Sequence, residues 1–191
     1  MNEPAYLRSP ELLSAATSRL LIVDMQERFA PVIPDFADVL AGCRRLMEAA
    51  RLMSIPVSLT EQYPRGLGPT VPELLEHAPE RREKVRFSCA ECLEWVSAGG
   101  QHDGRHQIVL AGIETHVCML QTALDLLAAG FDVYVTADVT RSRHAADREC
   151  ALRRMADSGV RLITSEMALF EWCEVAGTDL FKQVSRLVTG R

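Results

Sequence analysis

Five short runs of almost unbroken apolar, largely β-branched residues recur along the chain. They are RLLIVD ending at Asp24, IPVSLTE at Glu61, QIVLAG at Gly112, DVYVTAD at Asp138 and VRLITS at Ser165. A strand with one wet face alternates apolar and polar residues, so near-continuous runs predict strands buried on both faces. Between them lie helical patterns at about Asp35–Met53, Glu91–Ala98, Thr115–Ala129, Arg143–Asp157 and Thr178–Val188. Ser54, Ile55 and Pro56 stop one helix and open the next strand, while Gly130 and Gly159 sit where helix C-terminal caps belong. Strand alternating with helix predicts right-handed crossovers and an α/β fold: a three-layer αβα sandwich, Rossmann-like, whose central, mostly parallel sheet of five to six strands carries helices on both faces.

The 191 residues suit one domain, 1–191, and 48% hydrophobic with 25% charged content excludes a disordered chain. A net charge of -5 argues against a nucleic-acid or anionic-membrane footprint. No apolar run reaches the roughly 18 residues that cross a bilayer, and the first residues lack the order of a secretion signal, so a cytoplasmic location is expected. There the six cysteines should be thiols. Cys89, Cys92, His102 and His106 read C-x2-C-x9-H-x3-H, but the interval is short and no strand-strand-helix pattern surrounds it; no metal is expected.

In an open parallel sheet, ligands bind beyond the carboxyl ends of the strands, where strand order reverses. Asp24, Glu61, Gly112 through Cys118, Asp138 and Ser165 are thereby predicted to gather along one edge. The stretch GIETHVCMLQTALDLLAAG follows the QIVLA run, with Thr115 as the helix N-cap and Val117, Leu120, Leu124 and Leu127 as the stripe facing the sheet. Cys118 then sits in a first helical turn, where backbone N–H groups and the positive end of the macrodipole favour a thiolate. On position alone the leading reading is a small core residue. Asp24 is either a loop cap or a functional acid. Lys84, with Arg81, Arg82 and Arg86, reads from pattern alone as part of a solvated charged face. His116, two residues before Cys118, points too far round the helix to pair with it and should face the pocket mouth or a neighbouring subunit.

Taken together, LLIVDMQERF, LTEQYPRGLGPTVPEL, EKVRFSC and GIETHVCMLQTALDLLAAGFDVYVTADVTRSR closely resemble the isochorismatase-like hydrolase family, in particular its isochorismatase domain-containing branch. The likeness runs from about Arg19 to Leu187, leaving 1–17 as an N-terminal extension. It implies a cysteine hydrolase site with Asp24, Lys84 and Cys118 in the positions of acid, lysine and nucleophile. It also implies a cis peptide between Ile113 and Glu114, and an oxyanion hole built from the backbone N–H groups of Glu114 and Cys118. Phe29, Gln62 and Tyr63 are expected to line the substrate pocket, with Glu61 at its rim.

Nicotinamidases of the family hold a metal with an Asp and His residues near the end of the second strand. Here that place reads Thr60, Glu61, Gln62 with no His nearby, so neither metal nor cofactor is expected. Isochorismatases proper cleave a vinyl ether without a cysteine nucleophile here. The implied activity is therefore hydrolysis of a small amide, carbamoyl compound or related acyl substrate through a thioester, with a fast-alkylating thiol. The alternative is a catalytically weak protein of hydrolase fold serving as a binding, scaffold or thiol-reactive module. A dinucleotide enzyme is set aside, because the first strand is followed by DMQERF and not by a glycine fingerprint. Met167, Leu169, Phe170 and Trp172 read either as a short helix completing the core or, since the family likeness implies a homo-oligomer, as a surface of which part is covered by a neighbouring subunit.

Overall fold

The computed structural model describes residues 6–78, 80–95 and 97–190. Its sheet has six strands in the order β3-β2-β1-β4-β5-β6, every neighbouring pair parallel. The strands are β1 Ser18–Val23, β2 Val57–Gln62, β3 Arg81–Lys84, β4 Gln107–Ile113, β5 Asp132–Arg141 and β6 Arg161–Ile163. The helices are α1 Phe36–Leu52, α2 Pro64–Leu67, α3 Pro72–Leu75, α4 Leu120–Ala128, α5 Ala145–Asp157, α6 Ser165–Cys173 and α7 Asp179–Thr189. The layered α/β architecture read from the apolar runs is borne out. No helix among the described residues is long and apolar enough to cross a membrane.

Period-two alternation splits each central strand between two cores. Leu20 and Ile22 of β1, with Val109, Ala111 and Ile113 of β4, join Val39, Cys43, Leu46 and Met47 of α1 and residues of α6 and α7. Leu21, Val23, Ile108 and Leu110 join Met119, Ala123 and Leu126 with Ala151 and Met155 of α5 on the other face. Both faces are dry, which is why the strands read as continuous apolar runs and not as alternations.

Three expectations change. The strand β3 was hidden in a charged run: its burial alternates so that Arg81 and Glu83 are exposed while Lys84 is buried. A charged edge strand costs little because half of its side chains face water, and it discourages edge-to-edge pairing. The helix predicted over Glu91–Ala98 is two short 3-10 turns, Ala90–Cys92 and Ala98–Gly100, the second capped by Ser97; Val96 lies outside the described residues. Finally, Thr115–Met119 is a turn of π-helix, in which Met119 N–H donates to Glu114 O at 3.2 Å. The wider turn shifts the helix face by one position, so Met119, Thr122, Ala123 and Leu126 are buried, whereas Val117, Leu124 and Leu127 are only partly so.

Candidate active site

Strand order reverses between β1 and β4, since β2 and β3 extend to one side and β5 and β6 to the other. The backbones approach closely there. Gly112 has φ +123°, and a Cβ on it would stand 2.2 Å from Val23 O, so this position of β4 admits only glycine. The peptide Ile113–Glu114 that follows is cis.

Asp24 is the first residue after β1, fully buried, with φ 52°. Its carboxylate is held on both oxygens: Lys84 Nζ donates to Oδ2 at 2.8 Å, and Thr60 Oγ1 donates to Oδ1 at 2.8 Å. These partners come from the next two strands, β2 lying between β1 and β3. Lys84 also donates to Gln62 Oε1 at 2.7 Å and to Phe87 O at 2.9 Å, which occupies its three protons. Burial alone would lower the Lys84 pKa, but Asp24 and then the neighbouring Cys89 and Cys118 raise it, and the net direction is up. The lysine stays a cation.

Cys118 lies in the π-turn after β4, 5% exposed. Burial pushes its thiol well above the ordinary range, the charge of Asp24 pushes the same way, and Lys84 pulls it back in part. Burial thus opposes the thiolate that the helix end and Lys84 favour. The desolvation of a nearly enclosed sulfur outweighs one lysine already spent on a carboxylate and the end of a helix. Asp24 and Lys84 are the two charged groups that act on the sulfur.

The turn that carries Cys118 is stitched to the end of β5. Thr115 Oγ1 meets Thr140 Oγ1 at 2.9 Å, so Thr115 caps nothing; Glu114 occupies the N-cap position, without a side-chain cap bond. The Glu114 carboxylate accepts from Arg143 N and Nε at 3.1 Å each. His116 Nδ1 pairs with Ser142 Oγ at 3.0 Å and its ring faces Asp147.

Gln62, from the end of β2, has both ends of its amide engaged, Oε1 by Lys84 and Nε2 with Val85 O at 2.8 Å. Tyr63 is half-exposed and Phe29 partly buried against the α1-side core. Glu61 is buried, its Oε1 accepting from Thr70 N and Oγ1 at 2.7 Å, which ties down the long connection after β2. Gln26 reinforces it, donating from Nε2 to Gly68 O at 2.7 Å and accepting from Gln62 N at 2.8 Å. Asp138 and Ser165 meet one another, 2.6 Å between Oδ2 and Oγ, and start α6 apart from the acid and lysine.

A cavity of about 400 Å³ opens over Lys84, lined by Tyr63, Pro64, Arg65, Glu83, Val85 and Glu91. A larger one of about 600 Å³ lies between the N-terminal segment and α6, among Tyr6, Leu12, Met167 and Phe170. It borders none of Asp24, Lys84 and Cys118. Among the described residues no group of three or more His, Cys, Asp or Glu stands close enough to hold a metal ion. Two neighbours were given no role at this site by the sequence reading: Thr60, and Cys89, whose Sγ lies 3.5 Å from Thr60 Oγ1. Neither carries a local signal, because only strand pairing brings them to Asp24.

Comparison with known proteins accords with this geometry. The isochorismatase domain family model matches residues 18–167. Isochorismatase domain-containing protein 1 of Danio rerio is 42% identical over 92% of this chain and 62% of its own length, so the chain spans less than two thirds of that relative. A solved structure titled MAR1 ribonuclease from Caenorhabditis elegans is 38% identical, with TM-score 0.84 over 93% of this chain and 92% of that one. YcaC from Pseudomonas aeruginosa, solved with hexane-2,5-diol and covalent acrylamide, is 25% identical with TM-score 0.84 over 96% and 93%. The acid after β1, the lysine ending β3 and the cysteine after β4 lie within the matched span, and the chain belongs to the isochorismatase family of hydrolase domains.

Proposed function

We propose that the protein hydrolyses a small amide, carbamoyl compound or related acyl substrate through a thioester on Cys118. The observation that carries this reading is the buried Asp24–Lys84 pair, 2.8 Å apart at the point where strand order reverses, beside a cysteine in a first helical turn. As Sγ attacks the carbonyl carbon, the thiol proton passes to Asp24, and the developing oxyanion is received by the backbone N–H groups of Glu114 and Cys118. The tetrahedral intermediate expels the amine, which takes the proton back from Asp24. Water then attacks the thioester with Asp24 as base, releasing the acid and restoring the thiol. Lys84 stays paired with Asp24, and Gln62 and Phe87 O hold Lys84 in place. Phe29 and Tyr63 contribute apolar pocket walls. The covalent acrylamide of YcaC supports the reading by likeness, being an adduct of an amide-bearing electrophile.

A weakly active or binding role remains the second reading, favoured by the 5% exposure and raised pKa of the Cys118 thiol. The name of the C. elegans relative raises a third, cleavage of RNA, against which a net charge of -5 weighs. Incubation with a panel of small amides and with RNA separates all three. The proposal requires amide turnover that is lost in Cys118→Ala; RNA cleavage that survives Cys118→Ala contradicts it. Self-association is proposed through the face that leaves Tyr6, Leu7, Met167 and Phe170 exposed, and a monomer by light scattering at micromolar concentration refutes it.

A further inference from the structure

Asp24 has to change role within one turnover, taking a proton from the thiol and returning it to the leaving group. Oδ2 is occupied by Lys84, so the part of the carboxylate that is free to adapt is Oδ1, whose partner is Thr60 Oγ1 at 2.8 Å. Thr60 is itself buried, and its other side-chain partner among the described residues is Cys89 Sγ at 3.5 Å, a contact in which either atom can donate. A hydroxyl has one proton to give. While Asp24 is ionised, that proton points at Oδ1 and the Cys89 thiol donates to Thr60 Oγ1. Once Asp24 is protonated, the hydroxyl can turn its proton to Cys89 Sγ and no longer oppose the neutral acid. Cys89 is fixed for this by its backbone N–H, which donates to Thr122 Oγ1 at 2.9 Å, and it is fully buried.

We propose that Thr60 is a positioning residue for Asp24, a hydroxyl switched between Asp24 Oδ1 and Cys89 Sγ that sets how readily the acid takes and returns the thiol proton. The proposal rests on the reading of Asp24 as the base for Cys118. Thr60 and Cys89 act in opposite directions. Removing the hydroxyl takes a donor from the carboxylate and favours its protonated form, whereas removing the Cys89 thiol leaves the hydroxyl no partner but Oδ1 and favours the ionised form. The titratable groups facing Asp24 are Lys84 from β3, Cys118 from the turn after β4, and Cys89 and Cys92 from the 89–92 turn.

The test needs no substrate. The rate at which iodoacetamide labels Cys118, followed on its peptide by mass spectrometry, is measured against pH for the full chain. If Asp24 accepts the thiol proton, the wild-type rate is level above an acid limb, whereas in Asp24→Asn the level region is gone and the rate climbs about tenfold per pH unit, as the thiolate fraction of an unassisted thiol does. Thr60→Val should move the limb up by about one pH unit, Thr60→Ser should return it to its original place, and Cys89→Ala should move it down. A Thr60→Val limb at the wild-type pH overturns the switch while leaving Asp24 as base. A level region that persists in Asp24→Asn overturns both. Rescue by serine excludes misfolding as the source of the valine effect.

Discussion

Cys43 and Cys118 are both thiols packed against the same sheet, one on each face, and each belongs to a buried apolar cluster. For Cys43, in the middle of α1, burial is the one cause that pushes its thiol up. For Cys118 burial is again the largest cause, but a carboxylate and an ammonium group also act on the sulfur. The contrast shows that neither burial nor a raised pKa distinguishes a core cysteine from a nucleophile. Under the proposed mechanism, what distinguishes them is a proton acceptor alongside: Asp24 acts on the Cys118 sulfur, whereas burial is the one cause that acts on Cys43.

The largest effect that sharpens this contrast is on turnover. Cys118→Ala should lower amide hydrolysis on the order of 10³-fold or more, as loss of a covalent nucleophile does. Cys43→Ala should leave turnover nearly unchanged and cost about 1 kcal/mol of stability, read from urea denaturation, because it only vacates packed volume. Equal activity loss in the two variants breaks the comparison.

Next comes the ion pair that makes Cys118 different. Both side chains of the Asp24–Lys84 pair are fully buried, so Lys84→Met strands a carboxylate and should destabilise the fold by about 3–5 kcal/mol. Adding Asp24→Asn should recover most of that loss in chemical denaturation, while activity stays absent. A double variant no more stable than Lys84→Met contradicts the assignment of the penalty to an unpaired charge.

The smallest effect is common to both cysteines. The folded state raises the thiol pKa of Cys43, Cys89 and Cys118 above about 9, Cys89 to about 12. Above pH 9 the unfolded chain releases these protons while the native chain keeps them, so the unfolded state binds fewer protons and stability falls as pH rises. Below pH 9 this contribution is fully present. The urea midpoint should therefore decline with alkaline pH, and less steeply in Cys43→Ala.

The sheet was legible because dry strands between two helical layers are largely apolar, as the central β1 and β4 are. β3 was not, since an edge strand of Arg81, Arg82, Glu83 and Lys84 has no apolar face to show. Much the same division holds at the site. Asp24 and Cys118 could be picked out as polar residues at strand ends. Lys84 looked like surface until the pairing of β3 with β2, Gln62 against Lys84, carried it under the loop. Thr60 and Cys89 had no signal, because their meaning lies wholly in contacts made across strands and turns far apart in the chain.

The most direct measurement of the central claim is to quench turnover of a small amide in acid and weigh the protein. The account predicts a mass increase equal to the acyl group, located on the Cys118 peptide and absent from Cys43→Ala only if that variant fails to fold. Hydrolysis that proceeds at an undiminished rate in Cys118→Ala, with no acyl group on the wild-type Cys118 peptide, would contradict it.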